Sequence, residues 1–299
     1  MIQLLSIADL EQTQQSLLSC MAAANSLYDT YMNYIEQDQD ESYSYTVHIH
    51  GAKERAPGIH ASEISGCKRI PVYSLMGTPR VPNKTGSNPN MLMRFRIGHA
   101  VHAMLQNDWH RIAARSGGYI TFEDEVKINP KLGGVAAEWR MHSSCDGVIT
   151  LWAPNGAGIL VPVVRVGIEI KTASHGEFDK LRGPKSDHEE QTCFYMRALD
   201  LPLMWVFYYN KSNSSITPSK TPFLYSFDRS MWEDKLEMRF AEVMDMADRG
   251  ELPPRTEGMQ CSWCAYAHTC QPPKVQRILQ SQTPIQISPG MRNRTARKS

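Results

Sequence analysis

Between residues 119 and 171 apolar and polar side chains alternate in three successive runs, 119–128, 135–152 and 159–171. Alternation at a period of two marks strands with two distinct faces. The turn-forming Pro154-Asn155-Gly156 joins the last two runs as a hairpin. Helical spacing brackets this block. Leu17, Met21, Ala24, Tyr28, Tyr31 and Ile35 recur at steps of four and three, as on one face of an amphipathic helix. A second helix is predicted over about 91–114, with Ile97, Val101, Met104, Leu105 and Trp109 on one face. Beyond the block, Ser186 and Glu189 read as a capping box that opens a helix running to about 199. Strands are predicted at 203–209 and 222–227. A helix over 229–249 carries Trp232, Leu236, Phe240, Val243 and Ala247 on one stripe, and Gly250 and Pro253-Pro254 stop it. The order helix, helix, three strands, helix, two strands, helix implies an α/β chain with a central sheet flanked by helices.

The 299 residues, 41% hydrophobic and 21% charged, suffice for one large core. No apolar run approaches the roughly 18 to 20 residues that span a membrane. Net charge is +1 from 32 bases and 31 acids, which excludes a polycation gripping nucleic acid by bulk charge and leaves a local basic groove open. The charge is unevenly distributed. Residues 1–52 carry seven acids and no base, and residues 272–299 carry six bases and no acid. The first basic residue, Lys53, comes too late for the charged start of a secretory leader, so a reducing cytoplasmic setting is expected. There the odd count of seven cysteines points to metal ligands or buried thiols, not to disulfides.

Three local patterns carry chemistry. In Val166-Gly167-Ile168-Glu169-Ile170-Lys171, alternation sets Glu169 and Lys171 on one strand face and Ile168 and Ile170 on the other. Asp146 interrupts an apolar run on the strand expected to pair with that of Glu169. Aspartate is disfavoured inside strands, and two carboxylates on neighbouring strands suit hard divalent cations. His102 lies near the border of the apolar face of its helix and is a candidate third ligand, with His99 farther round on the polar side. Finally, Cys261-x2-Cys264-x5-Cys270 crowds three thiols into ten residues. A C-x2-C turn brings two sulfurs onto one metal, and a fourth ligand must come from elsewhere. Spacing alone leaves Zn²⁺ and an iron–sulfur cluster both open.

Gly98-His99-Ala100-Val101-His102, Asp146-Gly147, Glu169-Ile170-Lys171 and Gln191-Thr192-Cys193-Phe194-Tyr195 resemble, in order and rough spacing, the motifs of the RecB-type branch of the PD-(D/E)XK nucleases. The 22 residues between Asp146 and Glu169 are more than the usual connection and suggest an elongated hairpin. The resemblance implies a restriction-endonuclease-like core with a mixed sheet, and hydrolysis of DNA phosphodiesters. It assigns Mg²⁺ or Mn²⁺ to Asp146, Glu169, the carbonyl of Ile170 and His102. It gives Lys171 the orientation of the attacking water, and Gln191 and Tyr195 the holding of the lysine or the DNA.

Ser62-Glu63-Ile64-Ser65-Gly66-Cys67-Lys68-Arg69, followed by Tyr73, is similar to a segment of the CRISPR-associated exonucleases and of the AddB nuclease domain. In those families one cysteine before the core and three after it hold a 4Fe-4S cluster. Cys67, Cys261, Cys264 and Cys270 match that arrangement, with Zn²⁺ as the alternative. The implied organisation is an acidic helical extension over 1–55, a nuclease domain over 56–271 closed by the cluster, and a basic, disordered tail over 272–299. The expected activity is that of an exonuclease in replication, recombination or repair. The alternatives are a nuclease trimming spacer precursors in CRISPR adaptation, and a non-catalytic iron–sulfur module that binds DNA or docks a helicase. Lys68, Arg69, Arg94, Arg96, Lys180, Arg182 and Lys185 are candidate phosphate contacts. The N-terminal helix is a candidate docking element for a helicase or a replication or recombination partner.

Overall fold

The computed structural model describes residues 7–37, 47, 55–81, 89–213 and 222–270. The predicted tail over 272–299, most of the polar loop after residue 213 and the acidic residues 38–41 lie outside them. Five strands form one mixed sheet in chain order: β1 (Ile120–Ile128), β2 (Ser143–Pro154), β3 (Leu160–Ala173), β4 (Leu203–Asn210) and β5 (Phe223–Ser226). Neighbours run antiparallel except β3 and β4, which are parallel. A parallel neighbour needs a crossover, and the helix Ser186–Leu199 between β3 and β4 supplies it.

Helices cover both faces. In chain order they are α1 (Ile7–Gln37), α2 (Arg69–Leu75), α3 (Pro89–Arg115), α4 (Gly134–Glu138), α5 (His175–Phe178), α6 (Ser186–Leu199), α7 (Met238–Arg249) and α8 (Ala267–Cys270). A π-helical segment, Met231–Glu237, leads into α7. On one face α1 and α3 pack over Ile149, Val166, Ile168, Ile170, Trp205 and Phe207. There Tyr31 stacks on Trp109 with ring centroids 5.4 Å apart, and its hydroxyl donates to Asp108 at 3.2 Å. On the opposite face α6 and the Trp232–Val243 stripe enclose Cys145, Val148 and Met204. Each such large side chain withdrawn from water contributes roughly 1.5–3 kcal/mol before entropy is counted.

The N-terminal helix therefore uses its apolar face in the core of the sheet. Ala24, Leu27, Tyr28, Tyr31 and Tyr34 are buried, whereas Ile35 is exposed. The stripe drifts by one position because 3.6 residues per turn is not commensurate with alternate steps of three and four. Ile97 is likewise exposed; α3 meets the sheet only from Val101 onward.

Other expectations need correcting. The run predicted as a strand from 135 is helical over Gly134–Glu138, and β2 starts at Ser143. The residue before α6 is Lys185, with no side-chain cap, and Glu189 accepts instead from the Tyr225 hydroxyl at 3.1 Å. The capping box sits one motif earlier. Ser174 and Glu177 close α5 reciprocally, a spacing the sequence also offers. The elongated hairpin is present, with β2 and β3 paired out to Pro154 opposite Leu160.

Beside Asp146 the sheet leaves no room for a side chain. A methyl on Gly147 would run into the Phe122 ring and come within 3.3 Å of the Glu123 carbonyl. Gly147→Ala is therefore expected to destabilise the fold by about 1–3 kcal/mol, read as a lower urea midpoint at unchanged slope.

Candidate active site and cysteine cleft

The β2–β3 ladder ends at the pair Gly147–Ile168. One residue further on, the strands no longer share hydrogen bonds, and the Asp146 carboxylate accepts the N–H of Ile170 through Oδ2 at 2.6 Å. At the same level β1 kinks at Glu125, whose φ of +49° falls in the left-handed region. The strand aspartate that propensity disfavours is thus the group that fills the gap where the sheet opens.

Glu169 projects into this opening and is only 3% exposed. Its Oε1 pairs with Lys171 Nζ at 2.5 Å, while its buried Oε2 has no partner among the described residues. Lys171 Nζ also donates to Gln191 Oε1 at 2.8 Å, and Gln191 Nε2 donates to the Tyr195 hydroxyl at 2.8 Å. Gln191 and Tyr195 stand one turn apart on α6, so both face the strand. From α3, His102 Nδ1 approaches Asp146 Oδ1 at 3.3 Å.

These groups set one another's ionisation. Burial opposes a charge on His102, but the adjacent Asp146 carboxylate outweighs it and lifts the imidazole to about 9. Burial would raise Asp146, yet His102 and the Ile170 N–H hold it below the usual carboxylate range. Glu169, buried and facing Asp146, is raised to about 7 despite Lys171. Burial would lower Lys171, and Glu169 more than compensates, so the ammonium is held above its usual value.

Because the folded protein resists ionising Glu169, it loses stability from this group as pH rises from its unfolded value near 4.5 through about 7. Glu169→Gln has no such charge. Without divalent cations the variant is expected to melt at a higher temperature than the parent at pH 8, with the difference vanishing by pH 5. Melting curves across that range check it.

Among the described residues, no group of three or more His, Cys, Asp or Glu side chains is arranged to hold a metal ion. The donor chemistry nevertheless fits a hard divalent cation. Two carboxylates stand on adjoining strands, the half-buried Asp146 and the buried Glu169 with its orphaned oxygen. His102 can join them only as the neutral imidazole, so its proton must leave on binding.

All four matched cysteines are free thiols and line one cleft together with Arg69, Tyr73 and Tyr266. Cys67 lies just before α2, and the others lie on and around α8. Burial, with nearby Cys270, Cys261 and Cys67, pushes the Cys264 thiol up. A thiol whose ionisation is opposed in this way is what a thiophilic cation relieves. Protein contacts hold the same junction: Tyr73 stacks on Tyr266 at 5.2 Å, Val81 N–H donates to the Ala265 carbonyl at 3.0 Å, and Arg69 Nε donates to the Pro253 carbonyl at 2.7 Å. Cys145 and Cys193 are buried elsewhere, and Cys20 lies on α1.

The candidate phosphate contacts are dispersed. Arg69 approaches Cys270 Sγ at 3.5 Å, inside the cysteine cleft, and Lys68 pairs with Glu242. Arg182 donates to the carbonyls of Asp179 and Leu181, and Lys185 pairs with Glu177 at 3.2 Å. Lys180, Arg94 and Arg96 are exposed.

Sequence reasoning passed over three residues of the site. Gln106 Nε2 donates to the Asp146 carbonyl at 2.8 Å, and its position one turn after His102 was the available signal. Ser143 donates to the Tyr195 hydroxyl at 3.4 Å. His188 shares a 2.5 Å hydrogen bond with the Tyr208 hydroxyl, and burial together with the Lys171 charge lowers it to about 4. Its spacing three residues before Gln191 places it on the same face of α6.

No family model and no curated protein sequence matches the chain. Solved structures similar to it include that of SSO0001, at 14% identity over 82% of this chain and 96% of that one, with a TM-score of 0.39. Others are the alkaline exonuclease LHK-Exo from Laribacter hongkongensis, at 14% identity over 66% and 90% with a TM-score of 0.43, and LHK-Exo in complex with dAMP, at 0.42.

Proposed function

We propose that the protein is a divalent-metal-dependent deoxyribonuclease of the PD-(D/E)XK type, acting on DNA ends in replication, recombination or repair, with a 4Fe-4S cluster in its cysteine cleft. One observation carries the reading. Where β2 and β3 part, a buried and a half-buried carboxylate from adjoining strands meet a lysine that is bonded to one of them and steered by a glutamine.

Asp146, Glu169, the Ile170 carbonyl and His102 would hold Mg²⁺ or Mn²⁺, which supplies a Lewis acid against the charge that builds on the phosphodiester. The chain's own residues do the rest. Lys171 stays an ammonium at working pH, so it serves as a fixed cation and donor to the attacking water and phosphate oxygens, not as a base. Gln191, itself held by Tyr195, fixes where that ammonium points. His102 and Gln106 hold Asp146 from its side-chain and main-chain ends. The four cysteines would bind the cluster as thiolates and join the segment before α2 to that around α8.

The test is incubation of anaerobically purified protein with linear single-stranded, linear double-stranded and circular DNA, with and without Mg²⁺ or Mn²⁺. Degradation that requires both the cation and a free end is the expected result. No hydrolysis of any of these DNAs with either cation would remove the reading.

A further inference from the structure

One face of α3 runs from the candidate active site to solvent. Phe95, His99, His102 and Gln106 follow at steps of four, three and four, which places them on one stripe of the helix. At the inner end His102 and Gln106 touch Asp146. At the outer end the first two turns project beyond the sheet, and their large apolar side chains face water: Phe95 is 58% exposed, Met93 53%, Leu92 46% and Ile97 40%. Four such side chains in six residues ring this end of the helix with apolar surface, and Phe95, the most exposed of them, is the one on the stripe of His99, His102 and Gln106.

The charge along this part of α3 is one-sided. Arg94 and Arg96 are exposed beside Phe95, and no acidic residue occurs from Pro89 to Asn107. Halfway along the stripe, His99 Nδ1 is buried and has no hydrogen-bond partner among the described residues. Cations, an aromatic face and a free polar atom in line with a phosphodiester-cleaving site suit a polyanion with unpaired bases better than an apolar protein surface. Distance fits as well. Phe95 precedes His102 by seven residues, about 10 Å along the helix axis, which is roughly three stacked-base steps of a DNA strand.

We propose that the outer end of α3 is a stacking platform for single-stranded DNA entering the site. Phe95 stacks on an unpaired base within about three nucleotides of the scissile phosphate, and Arg94 and Arg96 meet the flanking phosphates. His99 hydrogen-bonds the backbone between platform and site. The platform rests on the nuclease reading above and adds to it a preference for unpaired bases at one side of the cut.

Fluorescence anisotropy with a labelled 15-nucleotide single strand and no added divalent cation tests it. Base–aromatic stacking contributes about 1–3 kcal/mol, so Phe95→Ala is expected to weaken binding roughly 5- to 150-fold, and Phe95→Trp to retain it. An abasic strand of the same length should bind the parent and Phe95→Ala within about twofold of each other. Phe95 is solvent-facing, so both variants should melt with the parent. Binding of Phe95→Ala within twofold of the parent on the intact strand overturns the platform. So does an equal loss on the abasic strand. A change from dimer to monomer in sedimentation velocity, with DNA affinity unchanged, would overturn it by assigning the patch to a second copy of the chain. In all three cases metal-dependent degradation by the parent leaves the nuclease reading standing; a parent that neither binds nor cuts DNA removes both.

Discussion

Lys171→Ala is expected to lower metal-dependent DNA degradation by at least about 10²- to 10³-fold, the usual loss when a single preorganised donor to a developing negative charge is removed. The lysine sits between Glu169 at 2.5 Å and Gln191 at 2.8 Å, so its ammonium is placed before substrate arrives. Glu169→Ala should be as damaging by another route, since it removes the buried carboxylate whose free Oε2 is suited to a cation; raising Mn²⁺ should restore part of its activity and none of that of Lys171→Ala. Gln191→Ala acts only through the lysine. A smaller loss is expected there, concentrated in kcat, with Gln191→Glu partly retaining it. Initial rates on one linear substrate across a cation titration separate these outcomes. Full activity in Lys171→Ala would place the chemistry elsewhere.

Cys264→Ser is expected to have the second large effect, on stability and colour together. Anaerobically purified protein should be brown with broad visible absorbance, and the variant should lose most of both iron and absorbance. Colourless protein with one equivalent of zinc would replace the cluster by the other thiophilic ion. Closing about 200 residues between Cys67 and the later cysteines is equivalent to a cross-link of about 5 kcal/mol on chain-entropy grounds. The variant should fall short of that figure, because Tyr73 on Tyr266 and the Val81–Ala265 hydrogen bond hold the junction independently. Chemical denaturation with absorbance and circular dichroism read in parallel checks both parts.

Much of this architecture follows from periodicity. The long helices and the five strands carry apolar repeats that solvent exclusion enforces, and their order is the order observed. Errors fall where local chemistry competes. Residues 135–142 alternate like a strand, yet Gly133 at φ +75° and Gly134 at +49° turn the chain into a short helix first. Ser-x-x-Glu occurs at both 174 and 186, and only tertiary contacts decide which becomes a capping box, since Tyr225 takes Glu189. In the site, Asp146, Glu169 and Lys171 stand out in the sequence because charged groups within apolar runs require partners, whereas Gln191 and Tyr195 are singled out only by the resemblance to the RecB-type motifs. Gln106 and His188 do not stand out, because polar residues on helices are ordinarily solvated and only the fold brings these two to the strand ends.

The meeting of α2 with the C-terminal segment also orders events during synthesis. Val72 and Tyr73 are made long before α7 and Tyr266, which supply part of their cover. At about 5–20 residues per second, a ribosome takes roughly 10–40 s to reach those partners. Through that interval an apolar turn beside Cys67 lacks part of its cover, within reach of chaperones and oxidants. The four cysteines of the cleft can meet only once the chain has emerged through Cys270.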